Sequence, residues 1–308
     1  MFTLDDLPCL LPELSMVSVH GESRGGGERV AQNIQEIYNS QSKIVKLVKY
    51  KEARSWKTKF NISTVFLTSG LRDYFNLLYF ILKGIRTVIY IQVPYHKVAS
   101  LKNPIHLIAT WIFLITIFAL KIELFVNSKN AVPKVLQKRS TVVLPISQRI
   151  KVNRVKNKYT PSDNFVLVTA CRLNIEVGRG SRDLKSLIRL LEECQALSNN
   201  SSIKYSVLHF GDVHPSVAHK FVDYSDVIEF CGFQEDWYET VCDVFFFFSN
   251  YEGFGLAAYE ASKTGTLTVI NEAFPEELTL VADNIKRINT QGETSIIKEI
   301  KNAHTLCH

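Results

Sequence analysis

The 308-residue chain contains no C-x-x-C pair, no D-x-D triplet and no G-x-G-x-x-G run. Its six cysteines, at 9, 171, 194, 231, 242 and 307, are scattered, which argues against a zinc site or disulfide framework and for reduced thiols. Scattered cysteines and the lack of D-x-D leave no ready cluster of metal ligands, and no metal is expected. Without the glycine fingerprint a dinucleotide site is poorly supported. Acids are scarce in the first half: residues 1–160 hold 9 Asp/Glu against 24 Lys/Arg. Residues 161–308 reverse the balance, with 21 Asp/Glu against 12 Lys/Arg. A basic half points to an anionic partner, such as lipid headgroups, nucleic acid or a phosphorylated substrate. No nucleic-acid-binding motif accompanies it, and the acidic half would repel a long polyanion, so no nucleic acid is expected. The opening MFTLDDLPCLLPEL carries acids where a signal peptide has cations, so no leader is expected.

Charge is missing altogether from Asn103 to Leu120, NPIHLIATWIFLITIFAL. Eighteen such residues reach the rough length of a membrane span. Three readings stay open: a span, a buried core helix, or a helix partly exposed to the lipid interface. The span would separate flanking strands of one domain. Trp111, Phe113 and Phe118 are spaced by two and five residues and do not form a clean helical stripe. Docking to an anionic membrane surface is therefore expected to rest mainly on the basic charge.

What is present is an alternation of short apolar runs with helical stretches. Ser15–Gly21, Lys43–Tyr50, Ser63–Thr68, Thr87–Gln92, Ile122–Asn127 and Thr141–Leu144 read as strands, and Tyr74–Leu82 as a helix. A basic, polar stretch from Ile150 to Asp163 reads as a linker. Phe165–Ala170, Lys204–Phe210, Val227–Cys231, Asp243–Phe248 and Thr266–Asn271 continue as strands, with an amphipathic helix over Leu184–Leu197. Strands alternating with helices predict a parallel, doubly wound sheet in each of two domains, 1–150 and 151–308.

The stretch Asp243–Gly265, DVFFFFSNYEGFGLAAYEASKTG, is the most informative. An apolar strand runs into a turn at Glu252-Gly253-Phe254-Gly255, then into a helix that Gly265 is placed to end. Strand, glycine turn and helix is a layout that presents backbone N–H groups and a helix dipole to a phosphate. Glu252 and Glu260 lie eight residues apart, and one continuous helix would set both on one face.

This wording resembles the E-x7-E segment of the family-4 glycosyltransferases, carried here by Ser249, Glu252, Gly253, Phe254, Gly255, Glu260, Ala261, Gly265 and Val269. Weaker similarity extends from about Ser15 to Glu277. The resemblance implies a GT-B fold, α/β, with two Rossmann-like domains facing across a cleft, for which 308 residues is short. It implies sugar transfer from a nucleotide-sugar donor to a glycan or lipid-linked acceptor, with retention, on the surface-polysaccharide pattern, by an enzyme at the cytoplasmic face of a membrane. The nucleotide-sugar is then a substrate, and no cofactor is implied. Glu260 would hold the ribose hydroxyls and Glu252 would lie beside the sugar. The backbone from Gly253 through Phe254 and Gly255 to Leu256 would contact sugar and phosphate. His96, just past the Thr87–Gln92 strand, would touch the transferred sugar. Gly26 and Gly27, in the GGGER run, match the glycine turn after the first strand, either as a tight strand-to-helix connection or with backbone close to the donor phosphate or the acceptor.

The family's diphosphate segment, G-R-L-x-x-x-K-G, here reads CRLNIEVGRGSRDL. Arg172 matches its arginine, but Val177 stands where the lysine should be. Arg179 and Arg182 follow closely and are candidates to replace that charge; an arginine fork suits two diphosphate oxygens. If neither replaces it, the alternative is a degenerate member that binds nucleotide-sugar or a partner enzyme without catalysis.

Overall fold

The computed structural model describes residues 1–19, 26–56, 62–68, 70–94, 104–147, 164–173 and 182–305. They form two compact units, Met1–Lys151 and Val152–His308.

In the first unit the strands are β1 (Phe2–Thr3), β2 (Leu14–Val19), β3 (Lys46–Lys49), β4 (Thr64–Leu67), β5 (Arg86–Ile91), β6 (Glu123–Val126) and β7 (Ser140–Leu144). They join in one sheet of order β1-β7-β6-β5-β4-β2-β3, every pair parallel. The described helices of this unit are α1 (Leu7–Leu10), α2 (Gly26–Asn39), α3 (Ala53–Trp56), α4 (Tyr74–Leu82), α5 (Pro104–Ala119) and α6 (Lys134–Gln137). All four residues of β4 are buried. A parallel strand covered on both faces reads as an unbroken apolar run, which is why no alternation marks it in the sequence.

The second unit holds β8 (Asn164–Ala170), β9 (Lys204–Phe210), β10 (Ile228–Gly232), β11 (Val244–Phe247), β12 (Leu267–Ile270) and β13 (Ile285–Arg287). Its described helices are α7 (Leu184–Asn200), α8 (Pro215–Ala218), α9 (Leu256–Lys263), α10 (Glu276–Val281) and α11 (Ile296–Thr305). The sheet is again wholly parallel, in the order β10-β9-β8-β11-β12-β13. In α7 the buried positions Leu187, Leu190, Leu191 and Cys194 recur at three, four and seven residues, one face of a helix. They pack with Val207, Val244, Phe246, Val269, Ile296 and Ile300 in one core. Burying each large aliphatic side chain there contributes about 1.5–3 kcal/mol. Phe245 and Phe247 point to the opposite face, where their rings meet Trp237 at 5.0 Å and Phe274 at 5.2 Å. The fold is thus two parallel α/β units, as the alternation predicts.

The uncharged segment resolves into α5, sixteen residues long. At 1.5 Å per residue it measures about 24 Å, short of a hydrocarbon core of about 30 Å. No described helix is long and apolar enough to cross a membrane. Its flanking strands β5 and β6 pair with each other, Ile89 opposite Leu124, so they cannot lie on opposite sides of a bilayer. Thr110, Phe113, Leu114 and Ile117 are buried beneath it, while its other face is open.

Candidate functional site

The strand order of the second unit reverses between β8 and β11. From β8 the chain steps outward to β9 and β10; it then returns to β11 and steps the other way. Ligands of open α/β sheets bind at the carboxyl ends of the strands flanking such a reversal. The segments leaving those two strands are Cys171–Leu173 and Phe248–Gly255.

Arg182 ties them together. Its backbone bridges Ser249, and the Asp183 N–H donates to the Phe248 carbonyl at 3.3 Å. Its Nη1 donates to Glu252 Oε2 at 2.9 Å and reaches Ser249 Oγ at 3.4 Å. The guanidinium carbon lies 4.0 Å from the centre of the Phe247 ring. Both side chains of the pair are mostly buried, 15% and 20% exposed. Glu252 Oε1 also accepts from the Gly253 N–H at 3.0 Å. The Arg182 Nε is buried with no hydrogen-bond partner among the described residues. The charge is therefore held by contacts that use only part of its donor fork.

The turn itself is pinned from β12. Asn271 Nδ2 donates to the Ser249 carbonyl at 2.8 Å, and its Oδ1 accepts from the Ser249 N–H at 3.2 Å. Ser249 Oγ donates to the Tyr251 carbonyl at 2.7 Å. Gly255 then caps α9 with φ +92°, and a Cβ built there would meet the Phe274 ring at 2.6 Å. Only glycine satisfies both the left-handed backbone and that approach. Gly255 supplies no capping side chain, so the cap residue itself leaves the first-turn N–H groups of α9 without a side-chain acceptor.

Beside the pair, Cys171 Sγ lies 3.6 Å from His209 Nε2. Burial raises the Cys171 thiol above its usual range, with Arg182 pulling it partly back. Burial lowers the His209 imidazole from its ordinary 6.5 to about 4, so it is neutral near pH 7. Gly211, at φ +120°, brings the loop after β9 so close that a Cβ would sit 2.3 Å from the Cys171 carbonyl oxygen.

The sequence-predicted residues fall as follows. Glu252, Gly253, Phe254, Gly255 and Leu256 all lie on the turn or at the start of α9, and Arg182 joins them. Glu260 is buried in the second turn of α9. The two glutamates do not share a continuous helix: α9 begins at Leu256, and left-handed Gly255 separates Glu252 from it. Arg172 is half exposed, with its Nε 3.9 Å from the Asp212 carboxylate. Gly26 and Gly27 open α2 in the first unit. His96, Arg179 and Val177 lie outside the described residues. Sequence reasoning missed Phe247, Asn271, Cys171 and His209; each is ordinary by residue type, and only the strand order brings them together.

No protein-family model matches the sequence, and comparison by sequence with curated proteins finds no match. Solved structures match nearly the whole chain, and they define the class: this is a GT-B fold. WaaG, a glycosyltransferase involved in lipopolysaccharide biosynthesis, is 12% identical, with a TM-score of 0.68 over 95% of this chain and 90% of WaaG. HepE of Anabaena, solved with UDP and glucose, is 13% identical, with a TM-score of 0.67 over 96% of this chain and 92% of HepE. WaaB, a lipopolysaccharide outer core galactosyltransferase, is 14% identical, with a TM-score of 0.60 over 95% of this chain and 90% of WaaB.

Proposed function

We propose that the protein is a glycosyltransferase that moves a sugar, expected to be a hexose, from a nucleotide-sugar to a glycan or lipid-linked acceptor during assembly of a surface polysaccharide such as lipopolysaccharide O-antigen or capsule. The observation that carries this reading is the Arg182–Glu252 pair at the reversal of strand order in a GT-B fold. As the sugar departs, negative charge gathers on the diphosphate. Arg182 and the first-turn N–H groups of α9 are the groups to meet it. Glu252, which pairs with Arg182 at 2.9 Å, would exchange that partner for sugar hydroxyls. Glu260 takes the ribose, and Arg172 adds charge at the diphosphate. Arg179, His96, Gly26 and Gly27 keep the roles that the resemblance implies, as does retention of configuration. No metal or cofactor enters this scheme.

The donor class draws support from HepE, whose structure holds UDP and glucose, and the pathway from WaaG and WaaB. A lipid-linked acceptor would bring the enzyme to the cytoplasmic face of a membrane as a peripheral protein. One observation favours a second reading, a protein that binds nucleotide-sugar or a partner enzyme without catalysis: Val177 stands where the resembled motif has lysine. The test is mass spectrometry of acceptor mixtures incubated with a panel of nucleotide-sugars. A mass shift with one donor supports transfer. Donor binding with no product and no donor hydrolysis would favour the second reading.

A further inference from the structure

The open face of α5 has a regular pattern. Ile105, Ile108, Trp111, Ile112, Ile115 and Phe118 are 43% to 76% exposed. At 100° per residue they fall within an arc of about 140°, opposite the buried Thr110, Phe113, Leu114 and Ile117. Phe113 is thus core, and the remaining aromatic residues belong to an isoleucine stripe that their own spacing hid. Helix α4 lies alongside, with the Tyr74 and Phe113 rings 6.1 Å apart, and exposes Phe75 and Leu82. An exposed apolar stripe running the length of α5 marks an interaction surface.

The surrounding charge selects its occupant. The described residues between 74 and 144 include seven Lys/Arg and one acid, Glu123, which pairs with Arg86 at 2.8 Å. Lys121 is exposed just beyond α5, and Arg139 stacks 5.1 Å over the exposed Phe118 while donating to its carbonyl at 2.9 Å. Cations bordering an apolar stripe suit an anionic bilayer, where long side chains lie at the headgroups while apolar groups enter beneath them. Two copies of this basic face brought together would repel.

We infer that the α4–α5 face is a shallow docking surface for an anionic membrane, with the α5 stripe entering the interface and Lys121 and Arg139 at headgroup level. This deepens the reading of a lipid-linked acceptor and rests on it for its purpose, although the contact is measurable without the reaction.

The experiment is flotation of the full chain with vesicles of phosphatidylcholine alone or mixed with phosphatidylglycerol, across salt. The double variant Ile108→Glu/Ile112→Glu changes only exposed side chains, and an unchanged melting temperature verifies its fold. Wild type is expected to float with anionic vesicles and to bind progressively more weakly, though not to lose all binding, as salt rises. The double variant should bind at least about tenfold more weakly, equivalent to about 1.4 kcal/mol. Lys121→Glu should weaken binding at low salt only. Absence of wild-type binding, or equal binding by the double variant, overturns the inference. A dimer by ultracentrifugation that the double variant abolishes, without vesicle binding, would instead assign the face to a second copy. Sugar transfer to a soluble acceptor should survive in the double variant. Failed flotation with intact transfer therefore refutes only the docking, and the converse refutes only the transfer reading.

Discussion

Arg182 carries three unlike contacts: a carboxylate, a hydroxyl and an aromatic face. An arginine so placed is restrained but not saturated, and its charge-assisted bonds can pass to a diphosphate without the side chain moving far. Glu252→Gln should leave donor affinity within about threefold, because the amide keeps the shape and releases the guanidinium. It should lower turnover by about 10²-fold, the scale for removing one polar group aimed at developing charge. Steady-state kinetics beside donor titration separate the two effects; a variant with full turnover would remove Glu252 from the site. His209 makes a separate prediction for stability. Folded, it titrates at about 4; unfolded, near 6.5. Above about pH 6.5 both states are neutral and the stability is fully present. As pH falls through the window from 6.5 to about 4, the unfolded chain takes up a proton that the folded chain resists. Stability then drops by a contribution on the order of 3 kcal/mol. Urea unfolding across this window should flatten in His209→Gln relative to wild type.

At the scale of elements, the strand β11, its turn and α9 form the unit on which the site is built. Gly255→Ala would force an L side chain into a left-handed backbone and against Phe274. The cost should be at least about 2 kcal/mol, combining strain of 1–3 kcal/mol with the clash. A melting temperature within a degree of wild type would show that the turn relaxes freely. Much of this element was legible in the sequence: α9 starts and stops where glycine and periodicity set it, and α4 spans the expected Tyr74–Leu82. Local chemistry dictates both. The contacts of Arg182 with Ser249 and Glu252 were not legible, because they are made across 67 and 70 residues. Asn271 was invisible for the same reason. The stripe on α5 was obscured by the opposite fault: a segment apolar all round hides which face is covered until the strands beneath it are placed.

For the whole molecule, charge is divided as the fold is, with the basic half in the unit bearing α5 and the acidic half around the nucleotide-site candidates. Each well-placed cation near an anionic bilayer contributes about 1 kcal/mol, so in the proposed docking charge alone would give reversible binding and the apolar stripe would add what salt does not screen. In the acidic unit a diphosphate needs local cations, which places the burden on Arg182 and the first turn of α9. Calorimetric titration of uridine, guanosine and adenosine diphosphates into the full chain tests this most directly. The account predicts that one of them binds wild type and Glu252→Gln comparably, and binds Arg182→Ala at least about tenfold more weakly, the effect of losing a charged hydrogen bond of 1.5–3 kcal/mol. Equal binding by Arg182→Ala, or no binding of any nucleoside diphosphate to wild type, would contradict it.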